Sequence, residues 1–155
     1  SADAEKAVKG ADRCYVQDGS WLRAMAPEQQ TDMDSMYEMM SSGVTCWQQA
    51  ESKAKKVPGD ELAALLPFIS SRARQVETLR AYLFALQAKG VGNLVETCKR
   101  FRGAVQSSAT AVTTSAGLGA SFTSAEAQAL AGGVEADIAG LGQTIAGLYQ
   151  NQKCD

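Results

Sequence analysis

The chain contains no histidine in its 155 residues. That removes the most common general base and the Ser-His and Cys-His nucleophile pairs. It also removes the imidazole ligands that most zinc sites use. Proline is scarce, at Pro27, Pro58 and Pro67, so little interrupts a helix. Asparagine occurs only at Asn93 and Asn151, and neither opens an Asn-x-Ser/Thr glycosylation acceptor. No apolar run approaches the roughly 18 residues that a spanning helix requires. Net charge is −2, and the chain lacks the basic excess expected of a nucleic-acid binder. Alternating Val, Ile and Thr, the mark of half-buried strands, is hard to find.

What remains is a helix-forming composition in a chain of single-domain length, residues 1–155. Five helical segments are legible. The first covers about Ala2 to Met25, with a turn-prone "QDGS" at 17–20. The second, about Thr31 to Val57, places Met33, Met36, Tyr37, Met40, Val44 and Trp47 at helical spacing. Pro58 and Gly59 end it, and Asp60 is placed to cap the third segment, about Asp60 to Lys89. There Leu65, Ile69, Val76, Leu79, Leu83 and Leu86 share a face, and Pro67 predicts a kink or break near Leu66. Gly90 is expected to end this segment.

The fourth segment, about Val91 to Ser115, carries a clean stripe of Val91, Leu94, Val95, Cys98, Phe101, Val105, Ala109 and Val112. "SAGLGAS" (115–121) reads as a flexible turn. The fifth begins with Thr123-Ser124-Ala125-Glu126, which fits a capping box between Thr123 and Glu126. Val134, Ile138, Leu141, Ile145 and Leu148 follow as its apolar face. Gly133, Ala136, Gly140 and Gly147 form a small-residue stripe that implies close approach of a neighbour. The expected fold is all-α: an elongated antiparallel bundle of four to five helices.

Cys14, Cys46, Cys98 and Cys154 are widely spaced, with no Cys-x-x-Cys pair. Two disulfides in an exported protein fit better than a metal site or four buried thiols. Helix rise supplies a ruler. Cys14 lies roughly 17 Å and Cys46 roughly 22 Å from the first turn. Cys98 and Cys154 fall near that same end. Cys14–Cys46 with Cys98–Cys154 is therefore favoured over Cys14–Cys154 with Cys46–Cys98.

"DMDSMYEMM" (32–40) resembles a soft-metal box in composition, since thioethers bind copper(I). Its periodicity argues for core filling. Met33, Met36, Tyr37 and Met40 fall on the apolar stripe, Asp32, Asp34, Ser35 and Glu38 on the outer face, and only Met39 lies off the stripe. "GVGNLV" (90–95) has two glycines but no lysine and no preceding strand, so it reads as a helix-joining turn, not a phosphate loop. No cofactor and no catalytic activity are expected.

Charge is unevenly placed. Residues 1–52 hold four basic and nine acidic residues, 53–102 hold ten basic and four acidic, and 103–155 hold one basic and four acidic. If the third and fourth segments are neighbours, Arg72, Arg74, Arg80, Lys99, Arg100 and Arg102 gather into a patch. It would face a protein partner or an anionic surface, or else pair with the acidic first third. Tyr82 and Phe84 stand two residues apart on one helix and cannot both face the core. One is expected on the surface near Arg80, a combination typical of interface anchors. The leading expectation is a secreted, periplasmic or surface-exposed bundle that binds a macromolecule. The alternative is a sensor or carrier with an apolar pocket lined by Met36, Tyr37, Met40 and Trp47.

Overall fold

The computed structural model describes residues 33–56 and 65–154. Four helices account for most of them: α1 (Met33–Lys56), α2 (Leu65–Gly90), α3 (Leu94–Ser115) and α4 (Ala125–Asn151). A 3-10 turn, Gly119–Ser121, joins the last two. No strand occurs among the described residues. The expected first helix, Cys14 and the expected cap at Asp60 lie outside them.

Consecutive helices pack against each other, and α2 lies between α1 and α3. Cross-links fix the directions. From α1 to α2 they run Asp34 to Gln87, Gln48 to Glu77 and Glu51 to Arg74, so numbers rise along one helix as they fall along the other. From α3 to α4 they run Cys98 to Cys154, Arg102 to Tyr149 and Ser108 to Gly142, again antiparallel. The Cys98–Cys154 disulfide, with Cα atoms 5.5 Å apart, staples the start of α3 to the end of the described chain. This is the favoured pairing for those two cysteines. It is also the one disulfide placed among the described residues, where two were expected. Cys46 is not a free thiol.

Half of the 26 residues of α2 are buried, because this helix has neighbours on several sides. Some of the buried ones are polar and make their bonds locally. Ser71 Oγ donates to the Pro67 carbonyl at 2.7 Å and Thr78 Oγ1 to the Arg74 carbonyl at 2.8 Å. Described α2 is helical from Leu65 through Pro67, and the residues just before it, where the expected break would show, lie outside the described ones.

The α2–α3 turn falls later than expected and takes residues 91–93. Gly90 is the last helical residue, and the left-handed cap is Gly92, at φ +75°. The Gly92 N–H donates to the Lys89 carbonyl at 3.1 Å, and the Asn93 N–H to the Ala88 carbonyl at 3.2 Å. Asn93 Oδ1 then accepts from the Glu96 N–H at 3.1 Å and caps α3, which starts at Leu94 rather than Val91. The cap of α4 is shifted in the same way, by one residue from the expected Thr123 box: Ser124 Oγ accepts from the Ala127 N–H at 3.1 Å. "SAGLGAS" is pinned. Leu118 is buried, and the Glu135 carboxylate accepts from the N–H groups of Gly117 (2.9 Å) and Gly119 (3.2 Å).

Two expected stripes are corrected. Val91 and Val95 are 82 % and 80 % exposed, and Leu94, Ala109 and Val112 are exposed too. The face that α3 buries is Thr97, Phe101, Ala104, Ser108, Ala111 and Ser115, with Cys98 beside it. Small side chains win there because α3 packs on both α2 and α4 and must come close to each. On α4, Gly133, Ala136, Gly140 and Gly147 face solvent, and a Cβ on any of those three glycines would meet nothing within 4 Å. The close approach is at Gly142, where a Cβ would lie 2.6 Å from Ser108 Oγ, and at Gly119, 3.0 Å from Gly132 Cα.

The core runs along the bundle as three clusters. Val44, Trp47, Ala50, Ile69, Ala73 and Val76 join α1 to α2. Met36, Met40, Tyr82, Leu83, Leu86, Phe101 and Ile145 draw in all four helices. Ala111, Leu118, Ala131, Val134 and Ile138 close the far end. Among the described residues no helix is long and apolar enough to cross a membrane.

Candidate partner-binding cleft

The outward ridge of α2 is built from Arg74, Glu77, Ala81 and Phe84, spaced three, four and three residues apart, so they fall on one side of the helix. None of the four is fully buried. With α1 on one flank and α3 on the other, the Glu77, Ala81 and Phe84 part of this ridge floors an open cleft of about 510 Å³. Tyr37 and Gln48 reach it from α1, Ser107 from α3, and Glu77, Arg80, Ala81 and Phe84 from α2.

Most of the charge here is settled within the fold. Glu77 Oε1 accepts from Gln48 Nε2 at 2.9 Å, and Oε2 lies 3.2 Å from Arg74 Nε. Arg74 Nη2 also meets Glu51 Oε1 at 2.8 Å. Arg100 Nε bonds Glu96 Oε2 at 3.1 Å, one turn back on α3. Arg80 differs: it makes no ion pair or hydrogen bond with any described residue. Its guanidinium is a half-buried cation lining the cleft with no partner among the described residues.

Phe84 is the exposed member of the Tyr82/Phe84 pair, at 40 %, while Tyr82 is buried. The Arg100 guanidinium carbon sits 3.7 Å from the Phe84 ring centroid, and Arg100 Nη1 donates to the Phe84 carbonyl at 3.0 Å. The Tyr37 ring lies 5.7 Å from Phe84, tilted by 34°. Cation–π and ring–ring contacts of this kind contribute about 0.5–1 kcal/mol each at partly exposed sites. They hold Phe84 in place while leaving part of it open to solvent.

The fold separates the residues picked out for partner binding, the six cations of the expected patch and Phe84. Arg80 and Phe84 line the cleft; Arg100 stacks on Phe84 and Arg74 is paired with Glu51 and Glu77, and neither lines it. Arg72 is 3 % exposed on another side of α2, with Nη1 on Gln75 Oε1 at 2.7 Å and its guanidinium carbon 5.5 Å from the Trp47 ring. Lys99 is exposed, and Arg102 turns toward α4, where its Nε donates to the Tyr149 hydroxyl at 3.2 Å. Charge content alone missed Tyr37, Gln48, Glu77 and Ser107. A usable signal was present: on α2 the polar and small positions 74, 77 and 81 repeat at helical spacing opposite the apolar face.

Of the methionine segment, Met36 and Met40 serve as packing, while Asp32 and the side chains of Met33 and Ser35 lie outside what is described. Met36 and Met40 are buried with Leu79, Leu83 and Leu86, Met39 is 42 % exposed, and Trp47 is fully buried against Ala73 and Val76. Of the residues expected to line an apolar ligand pocket, only Tyr37 borders the cleft. Among the described residues no cluster of three or more His, Cys, Asp or Glu side chains is placed to hold a metal. No protein-family model, curated protein or solved structure matches the chain.

Proposed function

We propose that this chain is a non-enzymatic, exported helical bundle that binds a macromolecular partner, with the α1–α2–α3 cleft as its contact face. The observation that carries the reading is Arg80, a cation without a partner among the described residues, beside the exposed ring of Phe84. Arg and aromatic side chains dominate binding energy at protein interfaces, most strongly where a concave site excludes water. The Cys98–Cys154 disulfide supports export, because such bonds persist in oxidising compartments. Burial of Met36, Met40 and Trp47 in helix–helix contacts favours this reading over a carrier of small apolar ligands. The reading takes residues 1–155 as one elongated domain with a second staple, Cys14–Cys46; Cys14 lies outside the described residues.

The test is equilibrium binding of labelled protein to extracellular fluid fractions and intact cell surfaces from its source. Arg80→Gln with Phe84→Ala is the comparison, after both proteins are shown to melt alike. Saturable binding that weakens about a hundredfold in the double variant is expected, as loss of two interface anchors implies. Unsaturable binding, or equal binding by both proteins, rejects the reading.

A further inference from the structure

We infer that the cleft receives a single carboxylate from a protein segment, an Asp or Glu side chain, followed or preceded by an apolar residue. This rests on the reading of the cleft as a contact face and specifies what it contacts. The number of uncommitted cations limits what the cleft can bind. Arg74 is taken by Glu51 and Glu77, and Arg100 by Glu96 and the Phe84 carbonyl, which leaves Arg80 as the uncommitted cation lining the cleft among the described residues. A polyanion such as a nucleic acid or a sulfated glycan needs a row of uncommitted cations to neutralise successive charges. A phosphorylated side chain brings close to two charges and three acceptor oxygens and is usually met by several arginines. One arginine fork suits one carboxylate, which it can engage through two parallel N–H···O bonds.

Glu77 sharpens the choice. It lines the same cleft as Arg80, and both its oxygens are already engaged. Its charge opposes a second negative group beside the first, so a lone carboxylate is favoured over a doubly charged ligand. Tyr37 and Ser107 line the cleft, and their hydroxyls have no hydrogen-bond partner among the described residues. Ala81 and the open part of Phe84 supply the apolar surface on which the neighbouring residue packs.

The probes are N-acetylated, C-amidated phenylalanyl-glutamate and phenylalanyl-glutamine, with inorganic phosphate as a third. Each is titrated into the isotope-labelled full chain and followed by amide chemical shifts. The glutamate peptide is expected to bind in the millimolar range and to shift Arg80, Phe84 and Ser107. Changing the peptide to glutamine, or the protein to Arg80→Gln, is expected to weaken binding about tenfold or more, the loss typical of a hydrogen bond to a charged group. The peptide exchange needs no protein variant, so it stands even if Arg80→Gln folds poorly. No shift at the cleft, equal binding of the two peptides, or phosphate binding as tightly as the glutamate peptide would each overturn the inference. If these probes fail while Arg80→Gln with Phe84→Ala still abolishes macromolecular binding, the carboxylate assignment falls and the contact face stands.

Discussion

Asn93 serves two helices at once. Its N–H closes α2 on the Ala88 carbonyl, and its side chain opens α3 on the Glu96 N–H. Replacing it with alanine keeps the first bond and removes the second. Asn93→Ala is therefore expected to cost about 0.5–2 kcal/mol, read as a lower urea midpoint with an unchanged slope. No change in midpoint would mean that the cap contributes nothing here. Single residues also mark how far spacing reaches. Spacing alone required Tyr82 and Phe84 to face different ways. Which one was exposed depended on Phe101, whose ring lies 6.3 Å from Tyr82 and draws it into the core. Arg72 and Arg80 looked equivalent as sequence. Arg72 instead packs beside Trp47, because eight residues further on α2 has turned toward the cleft.

At the scale of elements, the presence of helices was more legible than their faces. The second expected segment contains α1, whose ends are the limits of the described residues there, and the fifth is α4, because periodicity and turn residues act locally. The buried face of α3 was not legible. Its valines pointed to one side, yet Thr97, Ala104, Ser108 and Ala111 are the residues that α2 and α4 cover. Close helix approach outweighs side-chain hydrophobicity when a helix has two neighbours, and sequence does not reveal how many it has. The glycines of α4 give a paired test. Gly140 has open space where a Cβ would go, so Gly140→Ala is expected to stabilise by about 0.5–1 kcal/mol through helix propensity alone. Gly142→Ala would push a Cβ to 2.6 Å from Ser108 Oγ and is expected to lose that gain and more. Combining it with Ser108→Ala should recover stability. Thermal melts of the four proteins decide this, and equal shifts for Gly140→Ala and Gly142→Ala would contradict the packing described.

For the whole molecule, helix rise alone brings Cys98 to Cys154, because two cysteines can join only if their helices carry them to the same height. The disulfide spans a sequence separation of 56 residues. Cys98→Ser with Cys154→Ser is expected to lower stability by about 2–4 kcal/mol, while peptide mapping of the natively isolated parent should return this linked pair. Free thiols at both positions would contradict the export reading together with the staple. The cleft was only partly legible, since it exists through the juxtaposition of α1, α2 and α3 and no segment contains it. Its role is tested most directly by photocrosslinking. A photoreactive phenylalanine analogue at position 84 is compared with one at position 136, on the exposed face of α4, in the presence of extracellular material from the protein's source. The account predicts a discrete product from position 84, suppressed by Arg80→Gln and absent from position 136. Equal labelling from both positions, or labelling at 84 indifferent to Arg80, would contradict it.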